Sequence, residues 1–108
     1  MKLEKPNLLY LKNISKGDAS FENKIIDILN EEFQEEVNNY YYYFKLKDYN
    51  KVKIYVHRIK HKMSILGLEK SYKLTNIFEN SIRNLDFENQ EYFENMLPIM
   101  LQFLKSIK

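Results

Sequence analysis

The apolar and polar positions of this chain recur at helical rather than strand period. Between Asp48 and Gly67, the residues Val52, Val56, Ile59, Met63 and Leu66 alternate at steps of four and three, which makes one apolar stripe. Upstream, Phe21, Ile25, Ile28 or Leu29, Phe33, Val37, Tyr40 or Tyr41 and Phe44 keep the same period, with Asp18 placed to cap that helix. Downstream, Leu74, Ile77, Phe78, Ser81 or Ile82 and Leu85 predict the inward face of a helix from about Glu69 to Asn84. After a turn at Asp86 to Asn89, the residues Phe93, Met96 or Leu97, Met100, Phe103 or Leu104 and Ile107 define a last helix. Pro98 lies inside it and is expected to kink it by removing a backbone hydrogen bond. A short helix from Pro6 to about Ile14 offers Leu8, Leu9, Leu11 and Ile14 for burial, and Gly17 ends it. Residues 1–5 read as a loose start.

The run Tyr40-Tyr41-Tyr42-Tyr43-Phe44 is the one place where a strand competes, because aromatic residues favour strands. A strand there has no second strand to pair with, so the run is assigned to the end of a helix whose rings cover the rim. Asp48 caps the helix that follows, and Gly67 stands at its C-terminal end. Long amphipathic helices with short connections predict an all-α fold, an antiparallel up-down four-helix bundle. The short N-terminal helix is expected to pack across one end of it. Residues 1–108 are read as a single domain.

Composition narrows the class. An apolar share of 44% with 30% charged residues is that of a globular protein. Two glycines and two prolines favour long helices over a turn-rich sheet fold. With no cysteine, disulfide and thiolate chemistry are excluded. No apolar run reaches the roughly 20 residues of a membrane span, and the polar start is not a signal peptide, so a soluble, cytoplasmic protein is expected. The net charge is only +2, but it is unevenly placed. From Asp18 to Glu36, seven acids face one lysine, a balance of −6. From Lys45 to Lys73, nine bases face two acids, a balance of +7. Such a basic region attracts an acidic partner or a phosphoryl group, or simply the acidic helix of the same fold. A nucleic-acid partner is not expected, since no binding motif accompanies the low total charge.

His57 sits one residue off the apolar stripe, and Lys60, His61 and Ser64 follow at +3, +4 and +7 on the same flank. This predicts an imidazole in water on a stiff element, with a cation one turn away. The pattern His57, Ile59, Lys60, Gly67, with Leu68 after it, resembles the signature of the histidine-containing phosphotransfer (HPt) domain family. Asp48-Tyr49 matches the usual acidic-aromatic start of the phosphohistidine helix in that family. The stretch from Leu9 to Asp18, followed by Phe21, looks like the short first helix and turn of many bacterial members. The sequence departs from the pattern at His61, where the family commonly has Gly, and at Lys62 and Met63, where small residues are frequent.

The resemblance implies a phosphocarrier rather than an enzyme. His57 would accept a phosphoryl group from a receiver-domain aspartate and pass it to another receiver. Lys60 would give electrostatic support, while Arg58, His61, Ser64 and Gly67 would belong to the partner-binding surface. The chain would hold no cofactor of its own; Mg²⁺ would come with the receiver. The implied partners are a response-regulator receiver domain, a hybrid histidine kinase or both, met by a monomer. The start at Met1 and the lack of a linker suggest a separate polypeptide, while an excised domain of a hybrid kinase or the phosphoacceptor domain of a chemotaxis-type kinase would look identical. Imidazole suits the task because it is neutral and nucleophilic near neutral pH. Two other readings stay open. A degenerate HPt-like bundle would bind a receiver or kinase without carrying phosphate. His57 and His61 at i, i+4 also form half of a transition-metal site, but no third histidine, cysteine or Glu-x-x-His motif completes it, so no metal is assigned.

Overall fold

The computed structural model describes residues 2–107 and is all-helical, with no strand among them. The elements are α1 (Leu9–Ser15), α2 (Ala19–Lys45), α3 (Tyr49–Ile65), α4 (Glu69–Ser81), a single 3₁₀ turn (Ile82–Asn84) and α5 (Gln90–Ser106). The 27 residues of α2, at about 1.5 Å rise each, span the long axis of a body measuring 43 × 25 × 19 Å. Helix α3 packs on α2 and α4, and α5 packs on the same two helices, so the four long helices enclose one core. Helix α1 rests on α2.

The caps explain where the helices begin. Asp18 Oδ1 accepts from the Phe21 amide at 3.0 Å, and Asp48 Oδ1 from the Lys51 amide at 3.3 Å. Helix α4 has no cap from its own N-cap residue, Leu68. Glu4 supplies one from the start of the chain, accepting from the Lys70 amide at 3.1 Å, the Ser71 amide at 2.5 Å and the Ser71 hydroxyl at 2.6 Å. The segment expected to be loose is therefore anchored through Glu4 and the Lys2 carbonyl, with Leu3 packed against the core. Met1 lies outside the described residues.

All five members of the α3 stripe are fully buried, as are Leu11, Phe33, Tyr40, Phe78, Met96 and Met100. Each such burial contributes about 1.5–3 kcal/mol before conformational entropy is charged against it. Some expected core positions face solvent instead. Leu9, Ile14, Phe21, Ile77 and Leu85 are exposed, and in α2 it is Leu29 rather than Ile28 that turns inward. Leu85 cannot follow the α4 stripe because the helix has tightened into the 3₁₀ turn, and Leu85 itself takes φ +57°. The last helix opens at Gln90 after Asp86, and α5 continues through Pro98.

The tyrosine run is helical to its end. Tyr40 is buried and donates to Glu94 Oε2 at 2.8 Å, and burial followed by that carboxylate drives its phenol well above the usual range. Tyr43 stacks on Tyr55 with ring centroids 5.8 Å apart, while Tyr41 and Tyr42 stay exposed. The rings thus distribute over core, helix seam and solvent, which only a helix allows for consecutive residues.

Candidate functional site

The site is built from the polar flank of α3 and the facing edge of α4. His57 follows Val56, which is fully buried, so its ring leaves the seam and 49% of the side chain meets solvent. Both ring nitrogens are engaged. Nδ1 lies 3.0 Å from Glu79 Oε2 and 3.3 Å from Oε1, on the third turn of α4. Nε2 lies 3.0 Å from His61 Nε2, one turn along α3, with the two rings crossed at 81°. A carboxylate can only accept, so Nδ1 carries the proton toward Glu79 and the Nε2 lone pair points outward. In the neutral pair His61 donates its Nε2–H into that lone pair.

Lys60 does not share the open flank as the helical spacing suggested. Its side chain is only 7% exposed, and its ammonium lies 3.0 Å from Glu79 Oε1 and donates to Asn76 Oδ1 at 3.0 Å, over the ring of Tyr72. The cation therefore meets His57 through a shared carboxylate. Glu79, itself only 15% exposed, is clamped by Lys60 on one oxygen and orients the imidazole with the other. Glu79 and Asn76 were missed in the sequence, because nothing local joins α4 to His57. The signal available was an Asn-Glu pair at i, i+3 on the edge of a helix facing a strongly basic neighbour.

The other expected residues lie around this pair. Arg58 is exposed, its guanidinium over the Tyr55 ring, and with Lys53, Ile54, His57 and Glu79 it lines an open concavity beside the imidazole. Ser64 is exposed one turn beyond His61 and borders a second hollow with Tyr10, Gly67, Glu69, Tyr72 and Lys73. Ser64 does not hold the His57 ring, whose nitrogens are taken by Glu79 and His61. Gly67 has φ +74°, and a Cβ there would stand 2.5 Å from the Asn7 side chain, so its glycine is required by the fold itself. The N-terminal segment crosses at this point, and the Asn7 amide donates to Leu66 O at 2.8 Å.

Electrostatics around the site are partly internal. Lys62 is buried and bridges Glu32 at 3.1 Å and Glu36 at 2.9 Å on α2, so some attraction between the acidic and basic segments is spent inside the fold. Burial raises the Glu36 pKa above the usual carboxylate range, with Lys62 opposing the shift. Partial desolvation, then the His57 ring and Lys60, hold the His61 pKa below the usual histidine range. Among the described residues, no three His, Cys, Asp or Glu side chains group to hold a metal ion, and no helix is long and apolar enough to cross a membrane.

What these elements define is an all-helical protein with an oriented, half-exposed histidine on its central helix. No protein-family model matches the chain, and no curated protein or solved structure matches it either.

Proposed function

We propose that the chain is a histidine phosphotransfer protein of the HPt kind, with α2 to α5 as an antiparallel up-down four-helix bundle. In this reading it is a monomeric cytoplasmic carrier rather than an enzyme, and it takes and returns phosphate through His57. The observation that carries the reading is the His57–Glu79 contact, which keeps the proton on Nδ1 of a half-exposed ring and leaves Nε2, now paired with His61, as the nucleophilic nitrogen.

The transfer balances simply. The Nε2 lone pair attacks the phosphorus of a receiver's aspartyl phosphate, the N–P bond forms, and the P–O bond to the acyl oxygen breaks. The aspartate leaves as carboxylate, with charge neutralisation by Mg²⁺ held on the receiver. Positive charge develops on the ring as the bond forms, and Glu79 at Nδ1 offsets it while Lys60 keeps Glu79 in place. His61 must turn aside to open Nε2, and its Nε2–H then becomes a donor for a phosphoryl oxygen. Exposed Ile54 and Ile77 with the cations Lys53 and Arg58 offer the apolar and basic contacts that an acidic receiver surface needs.

One observation favours a second reading, a bundle that binds a receiver or kinase without carrying phosphate: the nucleophilic nitrogen is already capped by His61 at 3.0 Å. A single experiment separates the two. The chain is incubated with a receiver charged by acetyl phosphate and Mg²⁺. Acid-labile, base-stable label that His57→Gln abolishes is the expected result. Receiver binding without label establishes the second reading.

A further inference from the structure

The Nε2 atoms of His57 and His61 converge to 3.0 Å on one face of a rigid helix. We propose that this pair chelates one divalent late transition-metal ion, of the Zn²⁺, Ni²⁺ or Cu²⁺ class, and that an occupied site withholds Nε2 of His57 from phosphoryl transfer. The chelate stands on geometry alone; the blockade rests on the phosphotransfer reading.

Metal–imidazole bonds of about 2.0–2.1 Å that span a 3.0 Å gap subtend roughly 94° at the ion. That is the cis angle of octahedral or square-planar coordination, and opening the gap by about 0.3–0.4 Å reaches a tetrahedral angle. The hydrogen bond now joining the nitrogens is replaced by two coordinate bonds, with loss of the His61 Nε2 proton or a change of its tautomer. Turning the exposed His61 ring is enough to aim its lone pair.

Three further features fit the assignment. Glu79 accepts from Nδ1–H of His57, the carboxylate–histidine–metal arrangement that fixes the tautomer and raises ligand basicity. Glu79 is itself held by Lys60, so the orientation does not depend on the ion. His57 and His61 are both exposed, so the outer side of the pair is open to the water ligands that complete the shell. The cations Lys53 and Arg58 oppose the ion's charge, whereas Lys60 is neutralised by Glu79. With two protein donors the affinity follows the Irving–Williams order, Cu²⁺ above Ni²⁺ and Zn²⁺.

The test titrates the intact chain with Ni²⁺ or Zn²⁺ near neutral pH by calorimetry, while the imidazole proton resonances are followed. One ion per chain is expected, shifting both histidines. His57→Gln and His61→Gln are each expected to weaken binding on the order of 100-fold, because the second donor acts at high effective concentration. Either variant binding like the unmodified chain overturns the chelate, as does binding that leaves the imidazole signals unmoved. For the blockade, labelling from a charged receiver is compared with and without Ni²⁺ added over Mg²⁺. The expected result is slowing that tracks the calorimetric occupancy and is absent from His61→Gln. Undiminished labelling at full occupancy overturns it. Failure of the metal-free chain to be labelled defeats the phosphotransfer reading and the blockade with it, and the chelate is then judged on binding alone.

Discussion

Replacing Glu79 by Gln removes one negative charge and keeps the shape of the side chain. Two groups on α3 depend on that charge, Nδ1–H of His57 at 3.0 Å and the ammonium of Lys60 at 3.0 Å. Lys60 is nearly enclosed and keeps only Asn76 Oδ1 as a firm acceptor after the change. Hydrogen bonds to charged groups contribute about 1.5–3 kcal/mol when buried, and the amide oxygen of Gln recovers part of this. A loss of roughly 1–2 kcal/mol is therefore expected, or a fall in Tm of about 4–9 °C for a domain of this size. The chemical effect is larger than the structural one. An amide NH₂ turned toward Nδ1 stabilises the tautomer with its proton on Nε2, which removes the nucleophilic lone pair, and the offset for developing ring charge is lost as well. Loss of an orienting partner of this kind costs roughly 10–100-fold in rate. Labelling by a charged receiver, measured well below the Tm of both proteins, reads the rate. Imidazole nitrogen shifts read the tautomer. A Glu79→Gln chain labelled as fast as the unmodified one, with Nδ1 still protonated, would refute the reasoning that the carboxylate prepares His57.

Gly67→Ala places a Cβ at φ +74° against Asn7, and is expected to destabilise by about 2–3 kcal/mol in urea unfolding, while the labelling rate of the folded fraction is kept. Glu4→Gln weakens the cap of α4, and a loss of roughly 1 kcal/mol is expected, which a parallel drop in amide protection at Lys70 and Ser71 would confirm. Glu36 has a folded pKa above its unfolded value, so its contribution favours folding below the ordinary carboxylate pKa and is lost as pH rises through the folded one. Unmodified protein should therefore lose stability relative to Glu36→Gln over that window, in denaturant melts taken across pH. His61 has the opposite sign: its contribution is present above its unfolded pKa and is lost as pH falls through the lower folded pKa. His61→Gln should flatten the acid side of the stability profile.

The sequence made the helices legible because each is written twice, in its apolar period and in its caps. Val52, Val56, Ile59, Met63 and Leu66 are buried without exception, and Asp18 and Asp48 both cap. Local period was less informative at the margins. Ile77 and Phe21 keep helical spacing but lie where no neighbouring helix arrives to cover them, so they stay exposed. Of the candidate site, the solvent-facing His57 and its neighbour His61 could be read from spacing along one helix. The partner of His57 could not, since Glu79 lies 22 residues away and meets it only through the packing of α4 on α3. Lys60 was misplaced for the same reason. A lysine at the edge of a stripe goes either to water or to a buried acid, and the acid belongs to another element. The anchoring of Glu4 on α4 joins chain positions 67 residues apart and leaves no local pattern.

A single carboxyl group gripped by two side chains of the adjacent helix makes the imidazole a gauge of how those helices sit. The contact between α3 and α4 runs through Ile59, Met63, Thr75 and Phe78, all sealed from water, with the Thr75 hydroxyl on Met63 sulfur at 3.2 Å. Substitutions in that seam that displace the carboxyl are expected to change how the imidazole is held, at a surface they never touch. Variants chosen only for core volume should therefore sort by the reactivity of one distant ring as well as by melting temperature.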